Sequence, residues 1–141
     1  MIHQMQCGPV RCGFADNGMV SEIILPEEFG SCNLLNGSSS LTLTLADGRV
    51  FTPVSGSGKP ECWHGSYGAE ILDFSSLTFA DRDGKTEPQF KLSLRYEIFP
   101  DGTVFTDAFF LGEMPDKIQV TGFELRIPLS LSAFETVRWS L

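Results

Sequence analysis

The chain has 141 residues, 42% of them hydrophobic and 11% aromatic, with twelve Phe. It is long enough to bury roughly 68% of the surface that its unfolded form exposes, so a core needs no disulfide or metal scaffold. Its net charge of −8, from 18 acidic and 10 basic residues, repels a phosphate backbone and argues against nucleic-acid partners. No apolar run approaches the ~20 residues that span a bilayer, which argues against a membrane partner. The N-terminus lacks a basic start followed by an apolar stretch, so no secretory signal is expected and the cytoplasm is the default location.

Taken in order, the elements read as strands. Residues 9–15 and 19–25 flank the turn Asp16-Asn17-Gly18, and residues 26–30 have room for one helical turn. In 40–46, Leu41, Leu43 and Leu45 alternate with Ser40, Thr42 and Thr44, and Asp47-Gly48 folds 49–54 back against them. Residues 55–60 (Ser-Gly-Ser-Gly-Lys-Pro) read as a flexible loop, and 69–80 as a long strand turned by 81–84. Next, Phe90, Leu92, Leu94, Tyr96 and Ile98 alternate with Gln89, Lys91, Ser93, Arg95 and Glu97 before Phe-Pro-Asp-Gly at 99–102. Strand side chains point to opposite faces with period two, so this pattern predicts a hairpin strand with one apolar and one wet face. Its partner is 103–111. Then 118–131 places Phe123, Leu125, Ile127, Leu129 and Leu131 on one face, with Pro128 marking an edge, a bulge or a strand end. Val137 and Trp139 alternate with Thr136, Arg138 and Ser140 up to Leu141. Asx-Gly turns at short intervals and no helical periodicity predict an all-β, antiparallel β-sandwich of about nine strands, one domain over 1–141.

Few residues carry a chemical signature. Cys7, Cys12, Cys32 and Cys62 lack the second tight pair that zinc sites show, so buried thiols and no metal are expected. Neither His3 nor His64 adjoins a Gly-x-Ser-x-Gly nucleophile turn, and Gly56-Ser57-Gly58 lacks the Lys and helix of a phosphate loop, which leaves no cofactor to expect. The cluster from Cys62 to Gly68, read as a loop, brings Trp63, His64 and Tyr67 together among glycines. Trp and Tyr rings stack on the apolar faces of sugar rings and a histidine can donate to or accept from hydroxyls, so these three are the candidate carbohydrate-binding residues. The alternative is ordinary: Trp63 plugs one end of the sandwich. Asp73 and Asp107 each interrupt an apolar stretch, and an outward-facing strand position accounts for both.

Several segments together resemble a known family. Gly18-Met19-Val20-Ser21-Glu22-Ile23, Leu41-Thr42-Leu43 with Asp47-Gly48, Tyr96-Glu97-Ile98 with Asp101-Gly102-Thr103-Val104, and Gly122-Phe123-Glu124-Leu125-Arg126-Ile127-Pro128 resemble the galactose mutarotase-like supersandwich. The style is closest to the small-chain-like C-terminal domain of large β-galactosidases, with Pro115, Leu125-Arg126 and Trp139 in the corresponding places. The histidine pair of catalytic mutarotases has no counterpart here. The resemblance implies a non-catalytic, carbohydrate-contacting or accessory domain associated with glycoside processing, in a chain the length of a truncated supersandwich. Two alternatives accompany it: an epimerase or lyase using His64 with a carboxylate, and a structural sandwich whose partner is protein. For 136–141 the expectation is a paired strand, covered by a second copy or by a neighbouring domain.

Overall fold

Strand 90–98 organises the structure as its alternation predicts. The computed structural model describes residues 2–26, 28, 31–111 and 118–133, with backbone alone at 2, 87–90 and 133. Among these, ten strands form two antiparallel sheets. A three-stranded sheet runs in the order β1 (Ile2–Cys7), β2 (Val10–Ala15), β3 (Val20–Ile24). The larger sheet comprises β4 (Ser40–Leu45), β5 (Val50–Pro53), β6 (Lys59–His64), β7 (Glu70–Ala80), β8 (Thr86–Ile98), β9 (Val104–Leu111) and β10 (Val120–Arg126). Its order is β10-β4-β5-β7-β8-β9, and β6 pairs with the first half of β7. The fold is all-β and β-sandwich-like, and no helix among the described residues is long and apolar enough to cross a membrane.

The core lies between the sheets. Leu92, Leu94, Tyr96 and Ile98 of β8 are buried, and they meet Phe14 of β2 and Phe74 of β7. Phe14 stands 4.6 Å from the Tyr96 ring and 6.2 Å from the Phe74 ring. The Tyr96 hydroxyl donates across the seam to the Gly18 carbonyl at 2.7 Å. Gly18 is held in a turn at φ +79, a conformation that favours glycine, and a Cβ there would stand 3.2 Å from Leu77 and 3.3 Å from Phe74, a tight fit. Along β7 the register shifts between Phe74 and Leu77, and Ser76 adopts φ 58. This bulge adds one residue to the outer strand count, so Leu72, Phe74, Leu77 and Phe79 all face inward although a regular pleat would turn Leu77 out.

Several expectations need correction. Residues 2–7 form β1, whose pattern is too polar to read as a strand. Residues 59–64 are β6 and not loop, because β7 at 11 residues is long enough to pair with β5 at one end and β6 at the other. Glycines at 56 and 58 do not free the preceding segment either: Gly56 N–H donates to the Asp16 carbonyl and Ser57 Oγ to the Val54 carbonyl. Ser93 is buried with the polar face of β8, for a reason given below. β10 stops at Arg126, before Pro128, and Leu131 lies exposed in a 3-10 turn at Leu131–Ala133 instead of extending an apolar strand face. The Phe90 side chain, Pro115, Trp139, the strand expected at 136–141 with its dimer or domain partner, and most of the turn expected at 26–30 lie outside the described residues.

Two stability measurements check this core. Leu94→Ala removes a fully enclosed side chain between the sheets and should cost about 2–5 kcal/mol in denaturant melts; a loss under about 1 kcal/mol would place the wrong face of β8 inside. Burial pushes the Cys12 thiol up from 9.0 to about 11, with Cys7 and Glu22 adding to the shift, and burial raises the Tyr96 phenol against a smaller opposing pull from Val20. The unfolded chain ionises these groups at their lower, ordinary values. Their contribution is therefore complete below about pH 9 and is lost as pH rises toward the folded-state values. The melting temperature should fall steadily from pH 9 to 11, and a constant or rising value over that window would contradict the assignment.

Candidate functional site

The pleat that buries one side of β8 directs the other side outward, away from β1–β3. On that outer face the registers of β6, β7, β8 and β9 bring two rows of side chains into line. One row reads Trp63, Ile71, Glu97, Phe105, and the next Glu61, Asp73, Arg95, Asp107. Four strands at about 4.8 Å spacing make this a surface roughly 14 Å wide.

Its anchor is a buried carboxylate. Asp73 is only 6% exposed, as is Ser93. A buried charge is tolerated when it is paired and hydrogen-bonded, and Asp73 has both kinds of partner. Ser93 Oγ donates to Oδ1, while Arg95 donates to Oδ2 through Nη2 at 2.9 Å and Nε at 3.1 Å. Asp73 thus faces outward, as its strand position predicts, yet is shielded from water by side chains from the adjacent strand. That pairing accounts for the burial of Ser93.

The same contacts hold Arg95 in one orientation. Its guanidinium carbon lies 5.3 Å from the Trp63 ring centroid and 5.4 Å from that of Phe109, so the cation stands between two aromatic rings. The rings remain open to solvent: Trp63 is 38%, Phe109 44% and Phe105 55% exposed. Phe99 supports Phe105 edge-on at 5.7 Å. Trp63 is therefore a ring on an open sheet face and not a plug in the end of the sandwich.

The three residues singled out by sequence are distributed over neighbouring positions. Trp63 and His64 are consecutive on β6, so the pleat sends their side chains to opposite faces. His64 Nδ1 lies 2.8 Å from Glu70 Oε1, on a side chain largely open to solvent. Tyr67 sits in the 3-10 turn Ser66–Gly68 at φ 56 and is 93% exposed. Arg95 and Phe109 were not singled out, since neither is close to Trp63 in sequence; cross-strand register alone unites them. Among the described residues no group of three or more His, Cys, Asp or Glu side chains is arranged to hold a metal ion; of the four cysteines expected to be buried thiols, Cys7 and Cys12 are buried, whereas Cys32 is half-buried and Cys62, on β6, is exposed.

A second feature lies at the sheet's two ends. β9 and β10 end the strand order, and Phe110 and Phe123 from them meet edge-on at 6.3 Å. Beyond that contact a cavity of about 230 Å³ opens, lined by Phe14, Tyr96, Val104, Leu125, Ile127 and Leu129 among others. Phe110, Phe123, Ile127 and Leu129 are exposed around it. Comparison with protein-family models, with curated proteins and with solved structures finds no match for the chain.

Proposed function

We propose that the chain is a non-catalytic, carbohydrate-contacting domain of galactose mutarotase-like supersandwich type, and that the outer face of β6–β9 is its contact surface. The observation that carries the reading is the fixed cation between open rings: Arg95 locked on Asp73, with Trp63 and Phe109 on either side. Open rings supply apolar area for the C–H face of a pyranose, and the guanidinium edges and nearby carboxylates supply donors and acceptors for its hydroxyls. A surface already held in place loses little freedom on binding, which favours a weakly interacting ligand such as a sugar. Tyr67, open to solvent in the turn that follows β6, is a further ring close in sequence to the contact, whereas His64 lies on the other side of β6 and outside the contact.

The exposed apolar residues along β9 and β10 favour a second reading, an accessory role in which this edge rests on a neighbouring protein. Apolar surface grouped on adjacent edge strands commonly marks a protein contact. The two readings use different faces of β9 and are compatible in one accessory domain.

Titration with β-galactosides and a glycan array test the carbohydrate reading. Trp63→Ala should weaken binding roughly tenfold, the loss of one aromatic stacking contact, with His64→Ala binding as the parent does. An array with no bound glycan, or a Trp63→Ala protein that binds unchanged, would overturn it.

A further inference from the structure

The charges on the outer face are not balanced around the rings. Arg95 is the cation at its centre, and its charge is taken up by Asp73. At the edge of the face Lys59 is likewise taken up by Glu61 at 3.0 Å. Two carboxylates are left over. Glu97 lies in the same row as Trp63 and Phe105, and Asp107 lies directly opposite Arg95 on β9; neither has a cationic partner among the described residues. The remaining cation on this face, Lys91, lies about 13 Å along β8 from Arg95 at strand spacing and is the diagonal neighbour of Phe109, whose partner is Ser93. Around Trp63 and Phe105, then, the free charge is negative, and aromatic faces are themselves attractive to cations. The net charge of −8 gives the whole chain the same sign.

We propose that this face selects glycans bearing ammonium groups, that is amino sugars, over neutral and acidic ones, with Glu97 and Asp107 meeting the ammonium while Trp63, at the end of the face away from Lys91, meets the ring. The inference rests on the carbohydrate reading above and adds the charge of the ligand. An acidic glycan would meet a guanidinium whose charge Asp73 already takes up, and would approach Glu97 and Asp107 against their repulsion. An amino sugar meets no such repulsion.

Calorimetric titration at pH 6 with three tetrasaccharides of matched length separates the cases: a β-1,4-glucosamine tetramer, its fully N-acetylated counterpart and a tetra-uronide. The glucosamine tetramer should bind at least tenfold more tightly than the N-acetylated one, the uronide should show no binding, and the advantage should shrink as salt rises from 50 to 500 mM. In the double variant Glu97→Gln, Asp107→Asn, at outer-face positions that are half-buried and exposed respectively, the ratio of the two hexosamine affinities should fall to about one, whatever the change in absolute affinity. Equal binding of the two hexosamine tetramers, binding of the uronide, or an advantage that survives the double variant would overturn the charge selection and leave the carbohydrate reading intact. Absence of binding by all three probes would overturn the charge selection, and together with an empty glycan array would overturn both.

Discussion

The two-residue repeat of β8 is the constraint on which both the core and the candidate site depend. Leu92, Leu94, Tyr96 and Ile98 make the inner surface, and the residues between them, Ser93, Arg95 and Glu97, make the outer one. Because side chains alternate strictly, the register that seats Tyr96 against Phe14 and Gly18 also sets Arg95 over Asp73. A slip of one residue would exchange the two surfaces, exposing the leucines and burying a guanidinium. Core packing therefore fixes the position of the site, and the buried Asp73 fixes its orientation.

The outer face differs from an ordinary wet sheet surface in one physical respect. Surface ion pairs contribute little and hold their members loosely, but Asp73 is enclosed and both of its oxygens accept hydrogen bonds. Arg95 is thereby restrained from one side by a carboxylate and from two others by rings. An all-β sandwich says little about activity, since unrelated functions share such folds. What points to function here is the local arrangement: open aromatic rings, one restrained cation and unbalanced carboxylates on one sheet face.

Much of the fold was legible in the sequence where pattern and turn chemistry agree. The alternation of 90–98 with Asp101-Gly102, and of 40–45 with Asp47-Gly48, specifies hairpins without reference to the rest of the chain. β1 was not legible, because Met5 and Cys7 alternate with Gln4 and Gln6 too briefly to stand out. The bulge at Ser76 left no mark either, since its positive φ serves the tertiary demand that Leu77 turn inward. Glycines on both sides of Cys62-Trp63-His64 suggested a loop, and the free half of β7 made it a strand. Of the site, Trp63 was visible as an aromatic residue among polar ones. Arg95, Phe109 and the burial of Asp73 were not, because each depends on which strands lie side by side, and that is a property of the sheet order and not of any local stretch.

The restraint on Arg95 is the claim from which the site follows, and it is directly observable. In proton–nitrogen NMR spectra at neutral pH, a guanidinium Nε–H held by a buried carboxylate exchanges slowly with water and gives a sharp resonance, whereas a solvated arginine gives a broad or absent one. Arg95 Nε–H should appear as such a resonance in the parent protein and in Ser93→Ala, which leaves the Arg95 contacts to Asp73 Oδ2 in place, and disappear in Asp73→Asn, with the inner-face signals of Leu94 and Tyr96 unchanged. An Arg95 Nε–H that exchanges as fast as that of Arg82, which lies exposed in the turn after β7, would contradict the account.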